Sequence, residues 1–249
     1  MIVVRILVNA LVLFLELGLV FAVAWLAWHY PVPFAAATGC IALLLGLALE
    51  RSRLTHELPY YMEAGHRPRT VFIAAVAGGE AAVKGLLAGV AALLTFSGTD
   101  AGRLGYVAIV FGICVFLGTS VLRRLSLSLG AVQSRWGFFR LAPLLGIAFS
   151  AGIAGVAQFG FIPRTMLSDL TRRVLWDTPE RPSLEQASEL LFQFKQYFDA
   201  VVQSLLRIVV PPDAAQAVGV FLSVNMLTGF VAAVYAVLIA EIVRHLERR

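Results

Sequence analysis

The chain has 249 residues, of which 59% are hydrophobic and only 14% charged, with a formal net charge of +5. Soluble domains carry about 25% charged residues, so this composition excludes an ordinary soluble fold and points to a helical membrane protein. The positive charge does not call for a nucleic acid, because most of the 18 arginines gather at the ends of apolar runs, where the membrane accounts for them.

Runs of about 20 apolar residues predict six spans, near residues 6–28, 33–49, 71–96, 104–122, 141–161 and 217–239. The expected fold is therefore an all-α bundle of six transmembrane helices. Residues 1–161 form its five-helix part, with short loops at 50–70 and 123–140. An amphipathic extracytoplasmic segment at 162–216 separates helices five and six, and 217–249 hold the sixth helix and a basic tail.

The first span carries Asn9 and, near its middle, Glu16. Ala22-Val23-Ala24 resembles a cleavage site, but Glu16 interrupts the would-be signal core, so a retained span is expected. Trp25, Trp28 and Tyr30 read as an aromatic belt at its end. The second span is short and contains Cys40; with Cys114 in the fourth it fits buried thiols, with neither disulfide nor metal spacing.

The loop that follows holds His56, Glu57, Glu63 and His66. Pro59 and Gly65 interrupt it, so a solvated loop is expected rather than a metal site, and Arg67 and Arg69 suit lipid phosphates.

The third span contains Glu80 and Lys84, one of only two lysines in the chain. A charge at the bilayer centre costs about 2.5–3.5 kcal/mol on insertion scales, so such residues are functional candidates by default. At i,i+4 the two share a helix face and can pair. Glu16 lies at comparable depth, with Lys84 or a partner subunit as its expected contact. Two carboxylates around Lys84 would leave a site of net charge −1 that exchanges a proton or cation; a static ion pair fixing helix register is the competing reading. Gly78-Gly79 precedes Glu80 as a weak point in the helix.

Small residues recur along the spans: Gly85 and Gly89, Gly105 and Gly112, then Gly146, Ser150 and Ala154. They allow close backbone approach, either within one bundle or between copies. Gln158 and Asn225 are candidates for a pore lining or for interhelical hydrogen bonds, as are Ser223, Thr228 and Tyr235 for the latter.

In the long segment, residues 164–176 suggest a short amphipathic helix and 177–182 a turn-rich connector. Ser183 and Gln186 form a capping box, predicting a helix from there to about Val210, stopped by Pro211-Pro212. Leu184, Ala187, Leu191, Phe194, Phe198, Val201, Leu205 and Ile208 follow a 3,4 alternation. Leu191, Phe194, Phe198, Val201 and Leu205 are thus the expected partner or oligomer interface, with docking on the membrane surface as the alternative. Few cations on the polar face favour protein contact.

Arginine placement predicts orientation. Arg5, Arg51, Arg53, Arg67, Arg69, Arg123, Arg124, Arg135, Arg140, Arg244, Arg248 and Arg249 fall on one side, and short loops on the other hold only Arg103. The positive-inside rule then places both termini in the cytoplasm, with a bacterial inner membrane as the expected location. No phosphate-binding loop, zinc motif or nucleophile elbow occurs, so no enzyme activity, cofactor or metal is expected. Two functions stand: an oligomeric channel or transporter subunit handling an ion, proton or small solute at Glu16, Glu80 and Lys84, or a non-catalytic scaffold subunit docking through its amphipathic helix. The expected partners are membrane lipids and further copies or other membrane subunits.

Overall fold

A computed structural model describes residues 2–57, 70–129, 140–160, 183–211, 214–215, 218–219 and 222–247, without the side chains of 2–9, 127, 129, 184 and 247. Glu63, His66, Arg67, Arg69, Arg135 and the expected helix at 164–176 lie outside them, as does the Asn9 side chain. The described residues are helical: α1 (Ile2–His29), α2 (Pro31–Glu57), α3 (Thr70–Thr95), α4 (Ala101–Leu129), α5 (Ala142–Gln158), α6 (Leu184–Val209), a 3₁₀ turn (Val224–Leu227) and α7 (Thr228–Glu247).

Five stretches are long and apolar enough to cross a membrane: Ala10–His29, Pro31–Glu57, Thr70–Thr95, Ala101–Ser126 and Val224–Leu246. The chain is a helical integral membrane protein on that ground. Three boundaries differ from the sequence reading. The fifth expected span, 141–161, forms a helix of only 17 residues, about 25 Å long, which falls short of a hydrocarbon core of about 30 Å. Gly160, at φ +80°, follows its end. The last span begins later than expected, because Ser223 caps the 3₁₀ turn by accepting from the Asn225 backbone N–H. The third difference bears on the site: α2 does not end at 49 but continues to Glu57, taking in Glu50, Arg51 and Arg53.

α7 is the centre of the bundle and packs against all of α1 to α5. Residues 231–237 are buried, as are Ile239, Ala240 and Val243. Its alanines leave room for neighbouring backbones, and dispersion between closely fitted surfaces replaces the hydrophobic effect that lipid does not supply. Interhelical hydrogen bonds add to this. Thr95 and Thr228 hydroxyls share one at 2.7 Å, and the Tyr235 hydroxyl meets that of Thr38 at 2.9 Å. Both are the kind of contact expected for Thr228 and Tyr235. The rings of Phe34, Phe96, Phe111 and Tyr235 pack beside them, Phe34 stacked on Tyr235 and the other pairs edge to face. Large apolar side chains such as Phe14, Phe21, Leu44 and Leu86 point outward instead, as lipid-facing residues do.

The small residues serve contacts inside this chain. A Cβ on Gly85 would lie 2.9 Å from the Gly39 carbonyl oxygen, and one on Gly89 would lie 3.3 Å from that of Ala35. α2 and α3 therefore touch through their backbones. Gly146 sits against the Met226 backbone, and Gly105 and Gly112 lie under Trp28 and Ala24 of α1.

Candidate functional site

The close α2–α3 contact brings four helical positions into range. The two helices run antiparallel, and Cβ vectors lean toward each helix's own N-terminus. Side chains from the second half of α2 and the middle of α3 therefore lean toward one another. Lys84 Nζ meets Glu50 Oε1, and lies 3.6 Å from Glu80 Oε2. Arg53 reaches three carboxylates: Glu50 at 3.1 Å, Glu57 at 3.1 Å and Glu80 at 3.3 Å. Burial is graded across the group. Glu50 is 1% exposed, Lys84 is mostly buried, and Arg53, Glu80 and Glu57 face outward.

The pairing expected between Glu80 and Lys84 is present. The contact expected between Glu16 and Lys84 is not. Glu16, also 1% exposed, is held by Arg123 Nη1 at 2.6 Å. α4 runs on past residue 122, so Arg123 is part of a helix packed on α1 and reaches back into the bundle. Desolvated carboxylates need a cation close by, and the nearer helix supplied it.

Glu50 and Arg53 fall in the expected loop at 50–70 because the apolar run ends at residue 49, yet they stand on α2. A signal for them is present in the sequence. Thr38, Ala42, Gly46, Glu50 and Leu54 recur every four residues, and all five are buried. That line of small or packed residues continues through the charge. Glu50, Arg53 and Glu57 also stand at i, i+3 and i+7, the spacing of ion pairs along one helix face.

The cluster opens on a groove of about 620 Å³. Arg53, Glu80 and Lys84 form its charged end, and Val83, Leu87 and Phe230 are among its apolar walls. Gln158 is exposed at the end of α5, away from these residues in the chain, and Asn225 is buried in the 3₁₀ turn with its Oδ1 lacking a hydrogen bond. Neither lines the groove. The described residues hold no group of three or more His, Cys, Asp or Glu side chains placed to bind a metal ion.

α6 forms with the predicted capping box: the Gln186 N–H donates to Ser183 Oγ at 3.3 Å, and the Ser183 N–H to Gln186 Oε1 at 2.9 Å. It ends at Val209, followed by Val210 in extended conformation and Pro211. Gly98 N–H donates to Ser188 Oγ at 2.8 Å, and the Arg103 guanidinium lies 3.3 Å from the Phe192 ring centre. Asp199 accepts from the Ser223 hydroxyl and the Val224 N–H, both at 2.9 Å. Gly98 adopts φ +105°, a region that favours glycine, and a Cβ there would meet the Arg103 side chain. Desolvation pushes Lys195 down to about 8, with Arg103 adding to the shift and Asp199 opposing it. Burial raises the Asp199 carboxyl above its ordinary value, against its hydrogen bonds to Val224 and Ser223.

The class these features define is a helical membrane protein with a mixed-charge cluster between two spans. No family model matches the chain, and neither a curated protein nor a solved structure matches it.

Proposed function

We propose that the chain is a subunit of an oligomeric membrane channel or transporter, and that the α2–α3 cluster handles an ion, a proton or a small solute. One observation carries this reading: the cations of the cluster share their carboxylates. Lys84 lies beside Glu50 and Glu80, and Arg53 beside Glu50, Glu57 and Glu80. Leaving one member of a buried pair uncompensated costs about 3–5 kcal/mol. Here a proton can neutralise one carboxylate while each cation keeps another beside it, so the charge state changes at low cost. With all groups ionised, three carboxylates face two cations, which favours uptake of a proton or cation. The groove beside Glu80 and Lys84 supplies an approach from the protein surface.

The reading includes six crossings, with α5, whose 17 residues stand at the lower end of the spanning range, as the fifth and α7 as the sixth. Both termini lie in the cytoplasm of a bacterial inner membrane, and α6 lies on the opposite side; the arginine distribution supports this orientation.

Flux into liposomes containing the purified chain tests the proposal, with its mass in detergent measured in parallel. We expect an oligomer that conducts protons or a small cation, and at least a tenfold loss of flux in Glu50→Gln and in Glu80→Gln. A monomer without flux overturns the reading. So does a Glu80→Gln/Lys84→Met double variant that assembles and keeps full activity.

A further inference from the structure

We infer that α6 lies in the headgroup layer of the bilayer, held to the bundle by one flank, with its apolar stripe seated on lipid. Its two anchors stand at the same height. Gly98 lies three residues beyond Thr95, and Ser223 and Val224 lie four to five residues before Thr228, while Thr95 and Thr228 are hydrogen-bonded to each other. On α6 the matching residues, Ser188 and Asp199, are about 16 Å apart along the axis. A helix joining two points of equal height over that length runs across the span ends, parallel to the membrane plane.

The level is that of a membrane interface. Trp28 Nε1 donates to the Ala101 carbonyl at 3.1 Å, two residues from the Arg103 that covers Phe192. Trp25, Trp28, His29 and Tyr30 form one ring cluster, in which Trp25 stacks on His29 and meets Tyr30 edge-on. Aromatic residues of this kind gather where hydrocarbon meets headgroups.

The circumference of α6 divides to match. At about 100° per residue, Ser188, Phe192, Lys195 and Asp199 fall on one line, which faces the bundle. The stripe through Phe194, Phe198, Leu205 and Ile208 is centred about 120° from it. Glu185, Gln196 and Arg207 lie nearly opposite the stripe. That is the division an interfacial helix needs: one side in the acyl boundary, the other in water, and the protein between them.

Exposure rises where the helix outruns its anchors. Among the described residues the last polar anchor is Asp199; beyond it Leu205 is exposed, Ile208 is 80% exposed and Val209 82%. An apolar overhang at interface height has lipid as its neighbour. The few cations opposite the stripe imply docking by apolar burial, independent of anionic lipid.

Spin labels on the full chain in nanodiscs of zwitterionic lipid test this. In a Cys40→Ser, Cys114→Ala background, Phe194→Cys, Phe198→Cys, Leu205→Cys and Ile208→Cys should be open to oxygen and closed to a water-soluble nickel chelate. Glu185→Cys, Gln196→Cys and Arg207→Cys should show the reverse, and the pattern should persist when anionic lipid is added. Access of the chelate to the stripe overturns the proposal. Exclusion of both reagents there also overturns it, in favour of a second copy or a protein partner, and spin–spin broadening separates those two.

Discussion

Two carboxylates, Glu16 and Glu50, are each 1% exposed within the bundle, yet their surroundings differ. Glu50 sits in a group where two cations and three carboxylates overlap, beside a groove. Among the described residues Glu16 has one cationic neighbour, Arg123, although each carboxylate keeps one oxygen, Glu16 Oε1 and Glu50 Oε2, without a hydrogen bond. Shared partners make a charge exchangeable, whereas a single close partner makes it a fastener. On the proposed function, Glu16 holds α1 on α4 through Arg123, and the α2–α3 cluster is the place where charge changes.

The largest effect should therefore come from the fastener. Arg123→Met strands Glu16 and should lower unfolding stability in detergent by about 3–5 kcal/mol. Adding Glu16→Gln should recover most of the loss. If Arg123→Met costs no more than Lys84→Met, the distinction between the two sites fails.

Gly85→Val tests whether backbone contact positions the cluster. Its Cβ would lie 2.9 Å from the Gly39 oxygen, and overpacking of this kind costs about 1–3 kcal/mol. Thermal melting should show that loss, and flux should fall more than the melting shift alone explains. Lys84→Met should cost less, about 1–2 kcal/mol, because Arg53 still lies 3.1 Å from Glu50. Denaturant titration beside Arg123→Met gives the ratio directly.

The last effect lies outside the spans, at the α6 anchor, and is read through pH. A lysine pushed from 10.5 down to about 8 binds its proton less tightly folded than unfolded. Its cost is fully present below pH 8 and fades as pH rises from about 8 toward 10.5, so α6 docking should strengthen over that window. Asp199 works in the opposite sense: its raised pKa makes folding tighten proton binding, so its contribution weakens as pH climbs through the acid range above 3.8. Hydrogen exchange of α6 amides against pH reads both, and Lys195→Met should remove the alkaline rise.

The capping box, the stop at Pro211 and the apolar stripe were all legible in the sequence because each depends on residues within a few turns of one helix. The Glu80–Lys84 pair was legible for the same reason. Glu50 is legible only in the four-residue spacing from Thr38 to Leu54, since hydropathy places a boundary at the first charge and does not see that α3 answers it. Arg123 was read as a loop charge for the same cause. The small residues stood out, but whether they would face another copy or another helix of the same chain was not theirs to decide.

Composition alone determined the membrane class, because too few polar residues exist to cover a soluble core of this size. Local spacing determined most helices and the cap of α6. Only the tertiary structure decided which cation answers which carboxylate. Partners in an ionic site are chosen by the distance between helices, and here that distance is set by Gly39, Gly85 and Gly89, which carry no charge themselves.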